Sequence, residues 1–335
     1  FRRVLFRSRE LLAQDLDAVL VCTPDHWHEE HAVAALEAGV PVYIEIPMAP
    51  TIAACDRILA AAARTKGRVY VGHNARFLGF VHEMRQLLDR GAIGEVKTVW
   101  CRHFMSYGGE FCFKGWRAER RNTTSMLVHG CHDIDLIHWL CGSYARRVTA
   151  MGGLTVYGEA ARRGATVREG AGGGRELDWP PPLQEGLNPN VDVEDLNMVL
   201  LELENGAMCS YQECHYAPDG WRNYTLIGTH GRIENYGDWP GHTVVRLWNK
   251  RGLYIPEGDE QYLVPEEGQI QMSLDRSLME GFIAFIRGQA AAVASPIDAR
   301  QSVAAACMAA ESLRNGSQPR DVPRPPEEAW AYFGA

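Results

Sequence analysis

DAVLVCTPDHWHEEHAVAALEAGVPVYIEIPMAP, residues 17–50, is the stretch whose reading decides the fold. An apolar run from Ala18 to Cys22 breaks at Thr23-Pro24-Asp25. A helical pattern follows with Val33, Leu36 and Ala38 inward, Gly39 stops it, and a second apolar run takes Val40 to Ile44. This is one βαβ unit. Apolar runs without alternation predict strands covered on both faces, hence a parallel, doubly wound sheet of the Rossmann type, with ligands bound outside the carboxyl ends of its strands. Two loops are marked in this way, Thr23-Pro24-Asp25-His26 and Glu45-Ile46-Pro47.

Beyond Pro50, Thr51 is placed to cap a helix through Ala63 that Gly67 closes, and a strand from Arg68 to Gly72 runs into His73-Asn74-Ala75-Arg76-Phe77. An amphipathic helix (Val81, Met84, Leu87, Leu88) ends at Gly91, and a domain boundary is expected at Gly94. The parallel unit then occupies 9–94. Residues 95–335 form an α/β domain with an open, mainly antiparallel sheet. Its signals are a strand from Val96 to His103, an aromatic loop from Phe104 to Asn122, and a helix from Met126 to Trp139. A hairpin follows with Asn205-Gly206 at its turn, then three more strands between Tyr224 and Asn249. Two helices finish the chain, Ser273 to Arg287 and Ala299 to Arg314, the second opened by a capping box of Asp298 with Gln301. Residues 158–190 have no period and read as a long excursion. Phe1 to Ser8 has no initiator Met and no signal-peptide architecture, and reads as a non-native leader on an incomplete reading frame.

The net charge of −8 and pI near 5.9 argue against nucleic acid or an anionic membrane surface as partner, and no apolar run reaches membrane-spanning length. Nine cysteines without a paired CxxC spacing, one of them Cys22 in an expected buried strand, suggest a reducing, cytoplasmic setting. His26-x-His28-x-x-His31 could suggest a zinc site, but no further cluster of ligands accompanies it in sequence, and no metal is expected.

Thr-Pro at 23–24, Glu-x-Pro at 45–47, Asn-x-Arg-Phe at 74–77, Ile93-Gly94-Glu95-Val96 and Gly130-Cys131-His132-Asp133-Ile134-Asp135 together resemble the glucose-fructose oxidoreductase, inositol dehydrogenase and MocA family of NAD(P)-dependent oxidoreductases. The resemblance implies that the first loop runs along the dinucleotide, that the second carries a catalytic Lys, and that a helix presents Asp-x-x-x-His to the carbinol being oxidised. Mapped onto this sequence, the Lys position is Ile46, the first Asp is Val128, the His is His132, and Asp135 is a second carboxylate downstream. Lys114 and His129 are candidate replacements for the missing Lys. The family's first strand and GxGxxG turn have no counterpart before Asp17. Gly170 to Gly174 neither follows a strand nor opens a helix, so this chain is expected to bind NAD or NADP weakly.

The candidate catalytic residues are therefore His132 and Asp135, since an imidazole can accept the proton that alcohol oxidation releases near neutral pH. Thr23, Pro24, His26, His28, Glu45, Pro47 and Asn74 are the candidates to hold cofactor. Arg76, Trp116, His215, Trp221 and Arg222 are those for substrate, flat aromatics with polar neighbours being suited to a sugar ring. The expected activity is hydride transfer at a sugar or polyol carbinol, in a homo-oligomer joined through the sheet face. Two other readings stay open. One is glycosidic cleavage by transient oxidation and elimination on bound NAD. The other is a non-catalytic sugar-binding descendant that has lost its Lys.

Overall fold

The computed structural model describes residues 10–163, 181, 184–238, 241–265 and 271–333, with the backbone only at 271–273. The leader at 1–8 and the glycine-dense stretch at 170–174 lie outside them.

Three short strands, β1 (Val19–Val21), β2 (Val42–Ile44) and β3 (Val69–Val71), pair in parallel in the order β1-β2-β3. Helices α1 (His28–Glu37) and α2 (Ile52–Thr65) make the crossovers. Thr51 caps α2 as expected, its Oγ1 accepting from Ala54 N at 3.1 Å. The left-handed residue that ends α2 is Lys66, with φ 53°, and Gly67 follows it. β2 and β3 are buried throughout. β1 departs from the expectation: Leu20 is 52% exposed and Cys22 is also exposed, because β1 is an edge strand among the described residues and nothing described covers that face.

α3 (Gly79–Asp89) leads to β4 (Val96–Phe104), the first strand of a nine-stranded sheet. That sheet adds β5 (Ala145–Gly153), β6 (Leu196–Leu203), β7 (Met208–Cys214), β8 (Trp221–Gly228), β9 (Arg232–Tyr236), β10 (Val244–Trp248), β11 (Glu260–Leu263) and β12 (Arg320–Asp321). Its order is β11-β10-β9-β8-β4-β7-β6-β5-β12, antiparallel except for the β4–β7 pair. The Asn205-Gly206 turn joins β6 to β7, with Gly206 at φ 85°, a conformation that a residue without Cβ adopts freely.

Between β4 and β5 lie the five-residue helix α4 (Gly108–Cys112), a π-helical turn (Met126–Gly130) and α5 (Cys131–Cys141), so the expected helix from Met126 is two elements. α6 (Tyr157–Arg163) follows β5. The last long helices are α7 (Gln271–Ile286) and α8 (Pro296–Arg314). The capping box of α8 sits three residues before its expected place: Ser295 is the cap, Asp298 closes the box and Pro296 fills the first turn, where its missing N–H costs nothing.

α7 returns to the parallel sheet, where Leu278 and Phe282 pack on Tyr43 and Tyr70. Each such buried side chain contributes about 1.5–3 kcal/mol. α8 packs against β5, α5 and α2, and its buried Arg300 reaches Asp56 of α2 at 2.8 Å. α5 thus lies between the two sheets, and the site forms around it. No helix among the described residues is long and apolar enough to cross a membrane.

Candidate active site

The loops after β1 and β2 are joined through one imidazole. His28 is buried, with Nδ1 2.8 Å from Pro47 O and Nε2 2.7 Å from Thr23 O. Both ring nitrogens are therefore engaged by backbone. Sequence placed His28 against the cofactor; the structure makes it the brace that sets the two loops side by side. Thr23 Oγ1 lies 3.2 Å from His31 Nδ1. Pro24 precedes the single turn Asp25–Trp27, in which Asp25 is buried and accepts from Thr123 Oγ1 at 2.7 Å. Burial raises the Asp25 carboxyl. His26 is exposed, and its ring meets the edge of Trp116 at 6.1 Å, so the aromatic loop of the second sheet closes over the first loop. Glu45, raised by burial, accepts from Tyr43 Oη at 2.7 Å. Ile46 is 9% exposed, and the peptide to Pro47 is cis. Asn74 is half-buried in the turn after β3.

Two expected site residues occupy each other. Arg76 donates from Nε and Nη2 to the two oxygens of Asp135 at 2.8 and 2.7 Å, and from Nη1 to Val293 O at 2.6 Å. Asp298 and His73 complete the set at 3.3 Å each. Burial would raise the Asp135 carboxyl, but His73 and Arg76 hold it far below the carboxylate range. Asp135 and Arg76 are 1% and 3% exposed. They tie α5 to the turn after β3, and each meets the other rather than the crevice.

His132 is partly exposed, and its inward Nδ1 has no hydrogen-bond partner. Burial, then Arg222 and His73 nearby, holds it well below the usual imidazole value. Next to it, Asp133 takes His103 Nδ1 at 2.8 Å, lies 2.9 Å from Arg222 Nε, and accepts from Tyr224 Oη. Burial and Arg222 push His103 down to about 4, so it is neutral, while Arg222 and His103 keep Asp133 ionised against the burial that would raise it.

The strand register explains this gathering. His103 pairs with Glu213 of β7 on one side and with Arg222 of β8 on the other, a row of three polar residues across three strands under α5. Alternation sends their neighbours to the other face. Trp221 packs its ring on Phe104 at 6.2 Å and under Arg102 at 5.2 Å, away from Arg222, so the expected substrate group of Trp221, Arg222 and His215 is split between two faces. His215 is fully buried in a different company: Glu213, His129 and Cys112. Burial would raise the Cys112 thiol, but the His215 and His129 imidazoles bring it down to about 6, and they hold Glu213 at about 2 against the same desolvation.

His103, Cys112 and Asp133 were missed by sequence reasoning. The usable signal was the polar residue at an inward position of an otherwise apolar strand, as His103 stands between buried Cys101 and Met105.

A short parallel sheet with paired loops at its carboxyl ends, joined through one helix to a large open sheet carrying buried titratable groups, is the architecture of the two-part α/β dehydrogenases. A family model described as an oxidoreductase family with NAD-binding Rossmann fold matches residues 5–73, and one described as a GFO/IDH/MocA C-terminal domain matches residues 81–234. The two take in more than half of the chain, which belongs to the GFO/IDH/MocA family. YteT of Bacillus subtilis, named as an oxidoreductase, is 28% identical over 65% of this chain and 60% of its own length. Inositol 2-dehydrogenase 1 of Saccharopolyspora erythraea is 37% identical over 40% of this chain and 38% of its own. The chain thus spans less than two thirds of each of these relatives. A solved structure of levoglucosan dehydrogenase with NADH and levoglucosan superposes with a TM-score of 0.72 at 20% identity, covering 94% of this chain and 83% of that one, and shares its fold.

Proposed function

We propose that this protein is an NAD(P)-dependent oxidoreductase acting on a sugar or polyol carbinol, with His132 as the group that accepts the carbinol proton. The observation that carries the reading is the state of His132: a partly exposed imidazole, kept neutral, beside the Asp133–Arg222–His103 network. A neutral imidazole has a lone pair free for the carbinol proton, its depressed pKa makes it a weaker base than a free imidazole, and positioned proton transfer contributes about 10²–10⁴-fold to a rate.

The residues at the carboxyl ends of the three strands fit the nicotinamide side of a dinucleotide, because His28 fixes both loops to one frame. Thr23, Pro24, His26, Glu45, Pro47 and Asn74 are the groups that would hold it. When bound, the cofactor supplies the hydride acceptor. The chain's own part is to orient and deprotonate. Arg222, with 18% of its side chain exposed, and Trp116 over His26 are the groups placed to meet substrate hydroxyls and ring faces. His132→Gln tests the assignment: polyol-dependent reduction of NAD+ or NADP+ should fall with the fold retained, and an unchanged rate would sink it.

One observation favours the non-catalytic reading. The family's Lys position holds a buried isoleucine, whose side chain has no polar atom to offer a carbinol oxygen. Sugar binding without cofactor reduction, measured by calorimetry beside the rate assay, would select it.

The homo-oligomer expected through the sheet face is supported by the apolar side chains on the face turned away from α5. Trp100, Met151, Met198, Leu200 and Met208 are 43–66% exposed there. Trp100→Glu should shift the chain to a smaller species in light scattering.

A further inference from the structure

We propose that Cys112, His129 and His215, with Glu213 beside them, form a binding site for one zinc ion. Three separate elements bring them together: Cys112 ends α4, His129 lies in the π-helical turn, and Glu213 and His215 stand two residues apart on and just after β7, facing the same way. All four are at most 6% exposed. One donor atom each of Cys112, His129 and His215 lies within 4.8 Å of the others, with Cys112 Sγ 3.9 Å from His129 Nδ1. Glu213 Oε1 is 3.6 Å from His129 Nδ1 and 2.8 Å from His215 Nε2.

Of these close approaches only that of Cys112 to His129 has hydrogen-bond geometry. Glu213 Oε1 and both nitrogens of His215 lack any partner of hydrogen-bond geometry, although the carboxylate and imidazole are 2.8 Å apart. Buried polar groups are almost always satisfied, so such atoms point to a group not in the protein. Convergence of several unmet donors on one point is what a cation resolves. A tetrahedral zinc site, with bonds of about 2.0–2.3 Å, has ligand-to-ligand edges of roughly 3.3–3.8 Å, close to the 3.9 Å between Cys112 and His129. One thiolate and two imidazoles are a borderline-soft set that suits zinc; calcium and magnesium take oxygen ligands.

The surroundings are built closely around the cluster. At Gly108 a Cβ would come within 2.3 Å of His215 O, so α4 can seat Cys112 against the strand only with glycine there. Phe111 and Phe113 cover His129 and His215, ring to ring at 5.3 and 5.6 Å. A π-helical turn is rare and often marks a functional position. The ion would pin the loop after β4, which carries Trp116 and Thr123 to the crevice, onto the sheet. The inference does not depend on the proposed hydride chemistry.

Metal analysis of the purified chain tests it. After loading with Zn2+ and dialysis into metal-free buffer, about one zinc per chain should remain, and zinc should raise the melting temperature as a ligand of the native state does. Co2+ in its place should give a sulfur-to-cobalt charge-transfer band with the intense visible bands of a tetrahedral site. Cys112→Ser should remove the charge-transfer band and cut retained zinc by more than about tenfold, beyond the effect of most outer-shell changes. Cys22→Ser, at an exposed cysteine, should keep both. Zinc far below one per chain together with no sulfur-to-cobalt band at saturating Co2+ in the unmodified chain overturns the site whatever the variants do. A band that survives Cys112→Ser overturns the ligand assignment.

Discussion

On the parallel-sheet side of the crevice, His28 holds two backbone carbonyls, Arg76 and Asp135 hold each other, and the loop position between Glu45 and Pro47 is a buried isoleucine. On the side of the large sheet, His132 Nδ1, Glu213 Oε1 and both nitrogens of His215 have no partner of hydrogen-bond geometry, and Arg222 stays partly open. The first set is saturated and shapes the crevice; the second has bonding capacity left over and can act on something else. Residue type alone does not separate them, since each contains histidines, arginine and a carboxylate. Partners do.

Variants can break this contrast, and the largest effect belongs to the saturated side. Arg76→Met leaves Asp135 buried without its bidentate partner, and loss of one member of a buried pair costs about 3–5 kcal/mol, read as a lower urea midpoint. A mild stability change with a selective loss of substrate affinity would move Arg76 back to the acting side. Next comes Ile46→Lys, expected to raise polyol-dependent cofactor reduction by about tenfold or more, since a positioned cation and proton donor is restored at the second loop. No gain would mean that the sheet side carries the chemistry alone.

Acid probes both sides at once. Burial holds His138, and burial with Arg222 holds His103, at about 4 in the folded chain, below the ordinary 6.5. The unfolded chain therefore takes up these protons first as pH falls. Their stabilising contribution is complete above 6.5 and is lost between 6.5 and about 4. His138 Nε2 also accepts Ala145 N–H at 3.0 Å, a bond that protonation removes. The urea midpoint should drop from pH 7 to 4.5, and His138→Gln should flatten part of that slope. The smallest effect is expected at Thr123→Val, which deletes the bond from the aromatic loop to Asp25 and should cost about 1 kcal/mol in the same assay.

The elements that sequence made legible are those whose partners are near in the chain. The βαβ order of residues 17–50, the Thr51 cap and the Asn205-Gly206 hairpin are local, and periodicity and turn chemistry decide them. The α8 cap moved because Ser295 offers the better side-chain acceptor with Pro296 behind it, a competition within three residues. The site was less legible because register makes it. His103, Glu213 and Arg222 are more than a hundred residues apart at the extremes and become neighbours only through two strand pairings. Trp221 and Arg222 are adjacent in sequence yet belong to opposite faces, which a compositional cluster conceals. Asp135, a site candidate only through the family resemblance, has its two oxygens held by an arginine 59 residues earlier, a pairing no local pattern reveals.

The central claim is that His132 takes the carbinol proton, and the steady-state rate of reduced-cofactor formation at saturating NAD+ or NADP+ with a polyol panel, compared between the unmodified chain and His132→Gln, tests it most directly. The account predicts a rate lower by about 10²–10⁴-fold with an unchanged melting temperature. An equal rate in the two proteins would contradict it.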